Sequence, residues 1–466
     1  MAVLQSLQQQ PAGEPRFAYA RWPNEHQILG LGDEVEFGEG ANLFAIDAGL
    51  PRIGKRFQRP ALRQFGSADA LQTLFALLPG PPPTELISSA AALDRVTAAA
   101  VLAPEALPTF VRSTVDGYAV QARNTFGATN TLPAYLHLAG EIHMGEAAAQ
   151  SLQPGQTILI HTGGMLPIGA DAVVMVENTQ LSRPDEVEVL RAVAAGENLV
   201  NPGDDIRPGE SVLPAGQRLR PQDIGGLLAL GITQVRVARM PLLGLISSGD
   251  ELTPPAETPA TGKVRDINSY TVGALAARAG AAVRSYGLLP DNFDLLLQTA
   301  QRALQECDVL VFSAGSSAGT RDVTAGVINA LGTPGVIVHG VAVKPGKPTI
   351  LGVAQGKPVF GLPGNPGSAL VVADLLLVPT LFHLQGASAP PARQMQARLT
   401  HNLASSAGRE DYVPGRFTER AGERWVEPLF GKSNLIFTLV KADGAILIPL
   451  HATGLAAGQL VNVRLF

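Results

Sequence analysis

Cysteine is all but missing from this chain of 466 residues; Cys307 is the single one. No intrachain disulfide can form, a cysteine-based metal site is excluded, and a reducing compartment fits. Cys307 itself reads as a small buried apolar residue just before a strand. Charge is scarce too: 16% of residues are charged and the formal net charge is −5. No basic run or stripe is visible, which argues against a nucleic-acid partner. An anionic substrate would therefore have to be met by local lysines. No apolar run reaches the ~20 residues that span a bilayer, so no membrane partner is expected. The first residues lack a basic leader and a long apolar core, so they do not read as a secretory signal, and a cytoplasmic protein is expected. Gly-x-x-x-x-Gly-Lys-Ser/Thr and Rossmann fingerprints are absent, and the eight histidines show no His-Glu-x-x-His spacing.

Apolar and turn-forming residues dominate instead: 46% are hydrophobic, with Gly 50 and Pro 36. The length suggests about three or four domains. Residues 1–65 are irregular and Gln-rich and then Pro/Gly-punctuated; they read as an arm packing on the body or a small β extension. Ser67–Leu78 has helical spacing with Ser67 as candidate N-cap, and a second helical stretch is expected over residues 90–102. Asp116-Gly117 marks a tight turn within a β-like run. Several short strands between about residues 120 and 200 suggest a small β-barrel or sandwich. A helix near Gln222–Leu230 and a strand near Gln234–Val237 follow. From 240 to 385 strands alternate with helices, the pattern of a mostly parallel sheet. Residues 386–466 return to short strands and read as a C-terminal β-domain.

In βα-alternating sheets, ligands bind beyond the carboxyl ends of the strands. The conspicuous residues fall there. Ser247-Ser-Gly-Asp-Glu251 follows the first strand, and Phe312-Ser-Ala-Gly-Ser-Ser-Ala-Gly-Thr-Arg-Asp322 runs from a strand into a helix. Its Gly315, Ser316, Ser317 and Gly319 suit an anion cradle, though an ordinary βα turn fits the stretch equally well. Val343-Lys-Pro-Gly-Lys-Pro348 holds Lys344 and Lys347 three apart in a proline-stiffened loop. Either an anion lies between them or the loop is simply exposed. Asp116, Asp204, Asp250, Asp266 and Asp322 all fall in loops. Adjacent acids such as Asp204 and Asp205 are most often just solvated, yet oxygen ligands of this kind also suit Mg2+. Together the set suggests metal-assisted chemistry on a phosphoanhydride or a similar oxyanion.

These residues carry a resemblance. Ser113-Thr-Val-Asp-Gly-Tyr-Ala-Val120, Ser248-Gly-Asp-Glu-Leu252, Arg265-Asp-Ile-Asn268, Gly315–Asp322, Lys344-Pro-Gly-Lys-Pro348 and Gly361-Leu-Pro-Gly-Asn-Pro366 occur in the order and spacing of the molybdopterin molybdenumtransferases. This is the MoeA family, which includes the E domain of gephyrin. The resemblance covers roughly residues 66 to 466. It implies an elongated multidomain α/β plus β fold. A linker domain is expected from 66–119 and 200–238, and an inserted β-domain from 120–199. A molybdopterin-binding α/β domain takes 239–385 and a barrel-like β-domain 386–466.

The implied activity is insertion of molybdenum from molybdate into adenylylated molybdopterin, with Mg2+ and release of AMP, by a homodimer whose cleft lies between subunits. By motif match, Asp116, Asp204, Asp250 and Asp266 are the implied functional acids, with Asp250 and Asp266 on the metal. Ser317 and Asp322 fall where nucleotide-pterin contacts are implied. Lys344, Lys347, Pro348 and Ser368 match the molybdate site, with Arg409 and Ser433 on its C-terminal side. Two departures stand out. The family's Gly-Gly-Val-Ser-Val-Gly is here Ala314-Gly-Ser-Ser-Ala-Gly319, followed by Thr320 where an acid often stands, and a family Glu is Asp204. They leave metal geometry open and tungstate as an alternative oxyanion. An adenylyltransferase and a non-catalytic pterin-binding scaffold are the other readings.

Overall fold

The computed structural model describes residues 65–80, 82–314 and 318–466, with the backbone alone for 314 and 318–322. The readings of residues 1–64 and of Gly315, Ser316 and Ser317 lie outside the described residues.

The two segments that flank the inserted domain close on each other. Thr84–Ser88 runs antiparallel to Gln234–Ala238, and Val101–Leu102 to Ser211–Leu213. Ala92, Leu219, Leu227 and Val237 are fully buried in the core they share. Helix Pro221–Ala229 forms as expected, since Pro221 suits a first helical turn and Asp223 accepts from the Arg220 backbone N–H at 2.8 Å. The helix expected over residues 90–102 does not form. Ser89–Ala91 makes one 3-10 turn, Asp94 takes φ 63°, and the Thr97 N–H donates to the Gln217 carbonyl. Alanine's helix preference is worth tenths of a kcal/mol per residue, and pairing with the distant segment outweighs it.

The inserted domain is one six-stranded mixed sheet. Across it run Ala172–Met175, Gly117–Val120, Gln156–Ile160, Ala134–Ile142, Glu186–Val189 and Thr179–Arg183. No pairing joins its outer strands among the described residues, so it is an open sheet. Gly117 opens a buried strand rather than turning the chain, which places the sheet's start a little before residue 120. A Cβ on Gly117 would stand 2.0 Å from the Val174 carbonyl oxygen, so the neighbouring strand demands glycine there.

The α/β domain has a six-stranded sheet in the order Ala282–Leu289, Leu242–Ser248, Val309–Ala314, Lys357–Leu362, Ile350–Ala354, Pro334–His339. All neighbours are parallel except at Ile350–Ala354, an unexpected strand that runs against both of its partners. The last helix runs Pro366–His383 with a π-helical turn at Ala373–Leu377. Its 18 residues and mean hydropathy of 1.5 would suffice for a membrane span, but 67% of it is buried, as in a core helix. Helix Ser67–Phe75 packs on it, with Phe75 stacked on the His383 ring at 4.1 Å. Ser67 is its first residue rather than its cap, and its hydroxyl donates to Glu410 Oε2.

The C-terminal domain is a closed five-stranded barrel. Glu410–Arg420, Glu423–Pro428, Gln394–Leu399, Leu460–Leu465 and Gly444–Ile448 form a ring, because the last also pairs with the first. Leu399, Val426, Ile446 and Val463 fill it. The longest strand, Glu410–Arg420, carries Pro414 and Gly415 and reads poorly as a strand in sequence.

Candidate functional site

Three neighbouring parallel strands end together. Ser248 pairs with Ala314, and Ser313 with Leu362. The segments that carry Asp250 and Gly361–Ser368 therefore leave the sheet at one edge, where strand Val309–Ala314 also ends. Buried hydroxyls of Ser247 and Ser248 stand there without a hydrogen-bond partner among the described residues. Asn268 donates its Nδ2 to the Gly364 carbonyl at 2.9 Å, which ties the Asp266 loop to the same edge, and its Oδ1 is buried and unpaired. A bare buried polar atom costs about 1–3 kcal/mol, so a ligand that pairs with these atoms recovers that energy.

The two acids at this edge are held differently. Asp250 is exposed and, among the described residues, accepts only a long hydrogen bond from the Asp291 N–H, at 3.3 Å. Asp266 is buried. It accepts from the Ser269 N–H at 3.2 Å and from the Ser269 hydroxyl at 2.5 Å, and so caps helix Asn268–Arg278.

Beside the edge lies a cleft of about 1070 Å³ between the α/β domain and the barrel. Lys344, Lys347, Pro348 and Ser368 line one wall; Arg409, Lys432 and Ser433 line the other. The short strand Val343–Lys344 leaves the α/β domain and pairs in parallel with Glu410–Asp411 of the barrel. Gly346, at φ 123°, turns the chain between the lysines, where a Cβ would meet Val372 at 2.9 Å. The Lys347 carbonyl accepts from the Val341 N–H at 2.9 Å, and the Thr349 hydroxyl donates to the Gly346 carbonyl at 2.7 Å. The loop is thus a closed turn. Across the cleft, the Gly367 N–H donates to the Ser433 carbonyl at 2.9 Å, and Asn365 Nδ2 to the Ser433 hydroxyl at 3.2 Å.

Asp411 organises the cations. Its side chain is 3% exposed. Oδ1 accepts from Arg409 Nε at 3.0 Å; Oδ2 accepts from the Ser405 hydroxyl at 2.8 Å and faces Lys344 Nζ at 3.5 Å. No ion pair engages Lys347 among the described residues. Lys344, Lys347, Arg409 and Lys432 therefore line the cleft against one side-chain carboxylate, and the surplus is positive. Tyr412 also lines it. Burial holds its phenol protonated well above the usual range, and its hydroxyl donates to Glu410 Oε2 at 3.2 Å.

The structure brings together Lys344, Lys347, Pro348, Ser368, Arg409 and Ser433; Asp250 and Asp266 stand at the neighbouring strand end and not in the cleft lining, and Asp116 and Asp204 also lie outside it. Asp116 precedes the inserted sheet. The Thr162 backbone N–H at 2.8 Å and its hydroxyl at 3.2 Å hold the Asp116 carboxyl below its usual range, with His161 a lesser cause. Asp204 accepts from the Asn201 N–H at 2.7 Å in its own loop. Gly319 and Asp322 fall in helix Ala318–Ala330, whose first residues are described by backbone alone. Sequence reasoning misses Asn365, Asp411 and Lys432, and it sees Thr162 only as part of a turn. Asp411 sat in view, inside Gly408-Arg-Glu-Asp-Tyr412, but a carboxylate among cations draws no attention in a search for anion ligands.

Three family models match the chain in order. They are the MoeA N-terminal region (domain I and II) over 66–231, a probable molybdopterin binding domain over 244–383, and the MoeA C-terminal region (domain IV) over 396–466. A molybdopterin molybdenumtransferase of Haemophilus influenzae is 31% identical over 394 residues, covering 84% of this chain and 95% of that protein. The chain belongs to the MoeA family. Molybdopterin molybdenumtransferase 2 of Mycobacterium tuberculosis is 32% identical over 369 residues, covering 78% of this chain and 90% of its own. Two crystal structures of the molybdopterin biosynthesis MoeA protein from Pyrococcus horikoshii superpose with TM-scores of 0.72 and 0.75, at 34% and 29% identity. Each covers 86% of this chain, and 99% and 100% of those chains are matched. The MoeA fold thus accounts for residues 66–466, and the cationic cleft lies between the domains matched by the second and third models.

Proposed function

We propose that this MoeA-family protein inserts molybdenum from molybdate into adenylylated molybdopterin, releasing AMP and the finished molybdenum cofactor, in the cytoplasm. The observation that carries the reading is the cleft itself. Four cationic side chains line it, two of them paired with one buried carboxylate, beside a strand end with polar groups unpaired among the described residues.

In this reading Lys347, Lys344 and Arg409 hold the oxyanion by charge-assisted hydrogen bonds, and Ser368 and Ser433 add hydroxyls. Asp411 keeps Lys344 and Arg409 in place and removes part of their mutual repulsion. The pterin and its nucleotide lie along the strand edge, where Ser247, Ser248 and Asn268 offer unpaired atoms.

Asp250 and Asp266 fit Mg2+ as a donor set. Both offer hard oxygen atoms, Asp250 is exposed, and each Asp266 oxygen accepts a single hydrogen bond, so it keeps a lone pair. Mg2+ held there would offset charge on the phosphoanhydride and favour the departure of AMP. Asp116 and Asp204 lie outside the cleft of their own chain, so a second copy of the chain is the proposed source of those acids.

The test is direct. The purified protein is incubated with adenylylated molybdopterin, molybdate and Mg2+, with tungstate in a parallel arm. AMP and active cofactor are measured. Intact substrate with no AMP in either arm would overturn the reading, and adenylylation of free molybdopterin instead would move the protein one step earlier.

A further inference from the structure

We propose a second, separate metal site on the inserted domain, formed by Glu141, His143 and His161 and selective for a divalent transition ion of the zinc class. Glu141 and His143 come from the end of one strand and His161 from the end of its neighbour, so the three share one corner of the sheet. Strand Ala134–Ile142 runs parallel to strand Gln156–Ile160, with Ile142 opposite Ile160. Each strand is followed at once by a histidine, so the ladder sets His143 beside His161, and Glu141 comes from the strand end between them.

The three ligand atoms all lie within 4.8 Å of one another. Glu141 Oε1 is 2.8 Å from His161 Nε2 and 3.4 Å from His143 Nδ1. An ion with tetrahedral bonds of about 2.0–2.1 Å places its ligand atoms about 3.3–3.4 Å apart. Of the two distances to Glu141, one already matches and the other needs an opening of roughly half an ångström; the histidine atoms lie within 4.8 Å of each other.

Two imidazoles and a carboxylate select borderline ions over Mg2+, which demands oxygen. Three protein ligands leave a fourth position to water. The groups behind the ligands fit as well. Asp116 Oδ1 stands 3.8 Å from His161 Nδ1, on the ring edge away from Glu141. At that distance it makes no hydrogen bond to the ring, but its negative charge favours a proton on Nδ1 and leaves Nε2 free to ligate. Thr162 holds that carboxylate in turn. Both histidines directly follow paired strands of a six-stranded sheet, so the backbone brings the ligands together without the ion.

The experiment is a competition titration of the full chain with Zn2+ against a chromophoric chelator, repeated with Co2+ by visible absorption. The expected result is one tight equivalent. His143→Ala and His161→Ala should each weaken it by at least ~10-fold, because losing even an outer-shell partner costs about that much. His401→Ala, in the barrel domain and exposed, should leave it unchanged. His143 is 63% exposed, so its variant should keep the wild-type thermal midpoint. Equal Zn2+ binding by wild type and both variants, or displacement by excess Mg2+, overturns the proposal. The readout is binding alone, so it stands apart from the insertase reading.

Discussion

Lys344 Nζ lies 3.5 Å from Asp411 Oδ2, and that pair spans the seam between the α/β domain and the barrel. The lysine is half-exposed and the carboxylate is buried, so they play unequal parts. Asp411 is fixed by Ser405 and Arg409 and acts as the reference point on which the cation is hung.

Asp411→Ala should therefore cost more than its own contacts. Removing a buried carboxylate leaves Ser405, Arg409 and Lys344 without their shared acceptor. The loss of stability should be about 1.5–3 kcal/mol, the range for hydrogen bonds to charged groups. The molybdate concentration for half-maximal AMP release should rise in the same variant. Thermal unfolding and an oxyanion titration check both effects. A variant with normal stability and normal oxyanion dependence would show that Asp411 organises nothing.

Lys347→Ala tests the other lysine. No ion pair holds Lys347 among the described residues, so its removal should leave stability within about 0.5 kcal/mol. Loss of a charge-assisted hydrogen bond to the oxyanion should raise the molybdate requirement by ~10-fold or more. Pterin binding should change much less. An unaltered oxyanion requirement removes the assignment.

Asp250 and Asp266, paired as implied metal acids, should separate on mutation. Asp250→Ala should abolish AMP release and leave the melting curve as it was, since the side chain is exposed and weakly bonded. Asp266→Ala should abolish release and also destabilise by about 0.5–2 kcal/mol, the usual cost of a lost helix cap. Activity retained in the Asp250 variant, at any Mg2+ level, would remove that residue from the chemistry.

The sequence shows the α/β domain well because its central strands Leu242–Ser248, Val309–Ala314 and Lys357–Leu362 are mostly buried apolar runs that lead into glycine- and serine-rich segments. Strands Leu242–Ser248 and Val309–Ala314 form where the apolar runs predict Leu242–Ser247 and Val309–Phe312. Ile350–Ala354 is missed because Pro348 and Gly352 break its pattern, and because one reversed strand in a parallel sheet leaves no periodic trace. The barrel's closing strand is hidden in the same way. Gly415 reads as a break, yet a Cβ there would stand 2.7 Å from Val426, so the glycine is what lets the strands close. Motif spacing finds Lys344, Lys347 and Arg409, which line the cleft. It cannot find Asp411's role, which depends on the pairing of strand Val343–Lys344 with a strand 67 residues further on.

Acid should weaken the linker domain through Asp223. Its carboxylate accepts from Arg220 Nε at 2.9 Å, from the Arg220 N–H at 2.8 Å and from Gln217 at 3.1 Å. The Arg220 side chain is the largest cause holding this carboxyl below its usual range, against an opposing effect of burial. A carboxyl with a lowered folded pKa stabilises the fold above its unfolded value of about 3.9 and loses that contribution as pH falls through the folded value. Wild type should therefore exceed Asp223→Asn by roughly 1.5–3 kcal/mol at neutral pH. The gap should begin to close below about pH 4 and vanish once the carboxyl is protonated in the folded chain. Urea midpoints of both proteins between neutral pH and pH 2 measure it. A gap that stays constant across that range would mean that the charge on Asp223 contributes nothing to holding Arg220 and the start of helix Pro221–Ala229.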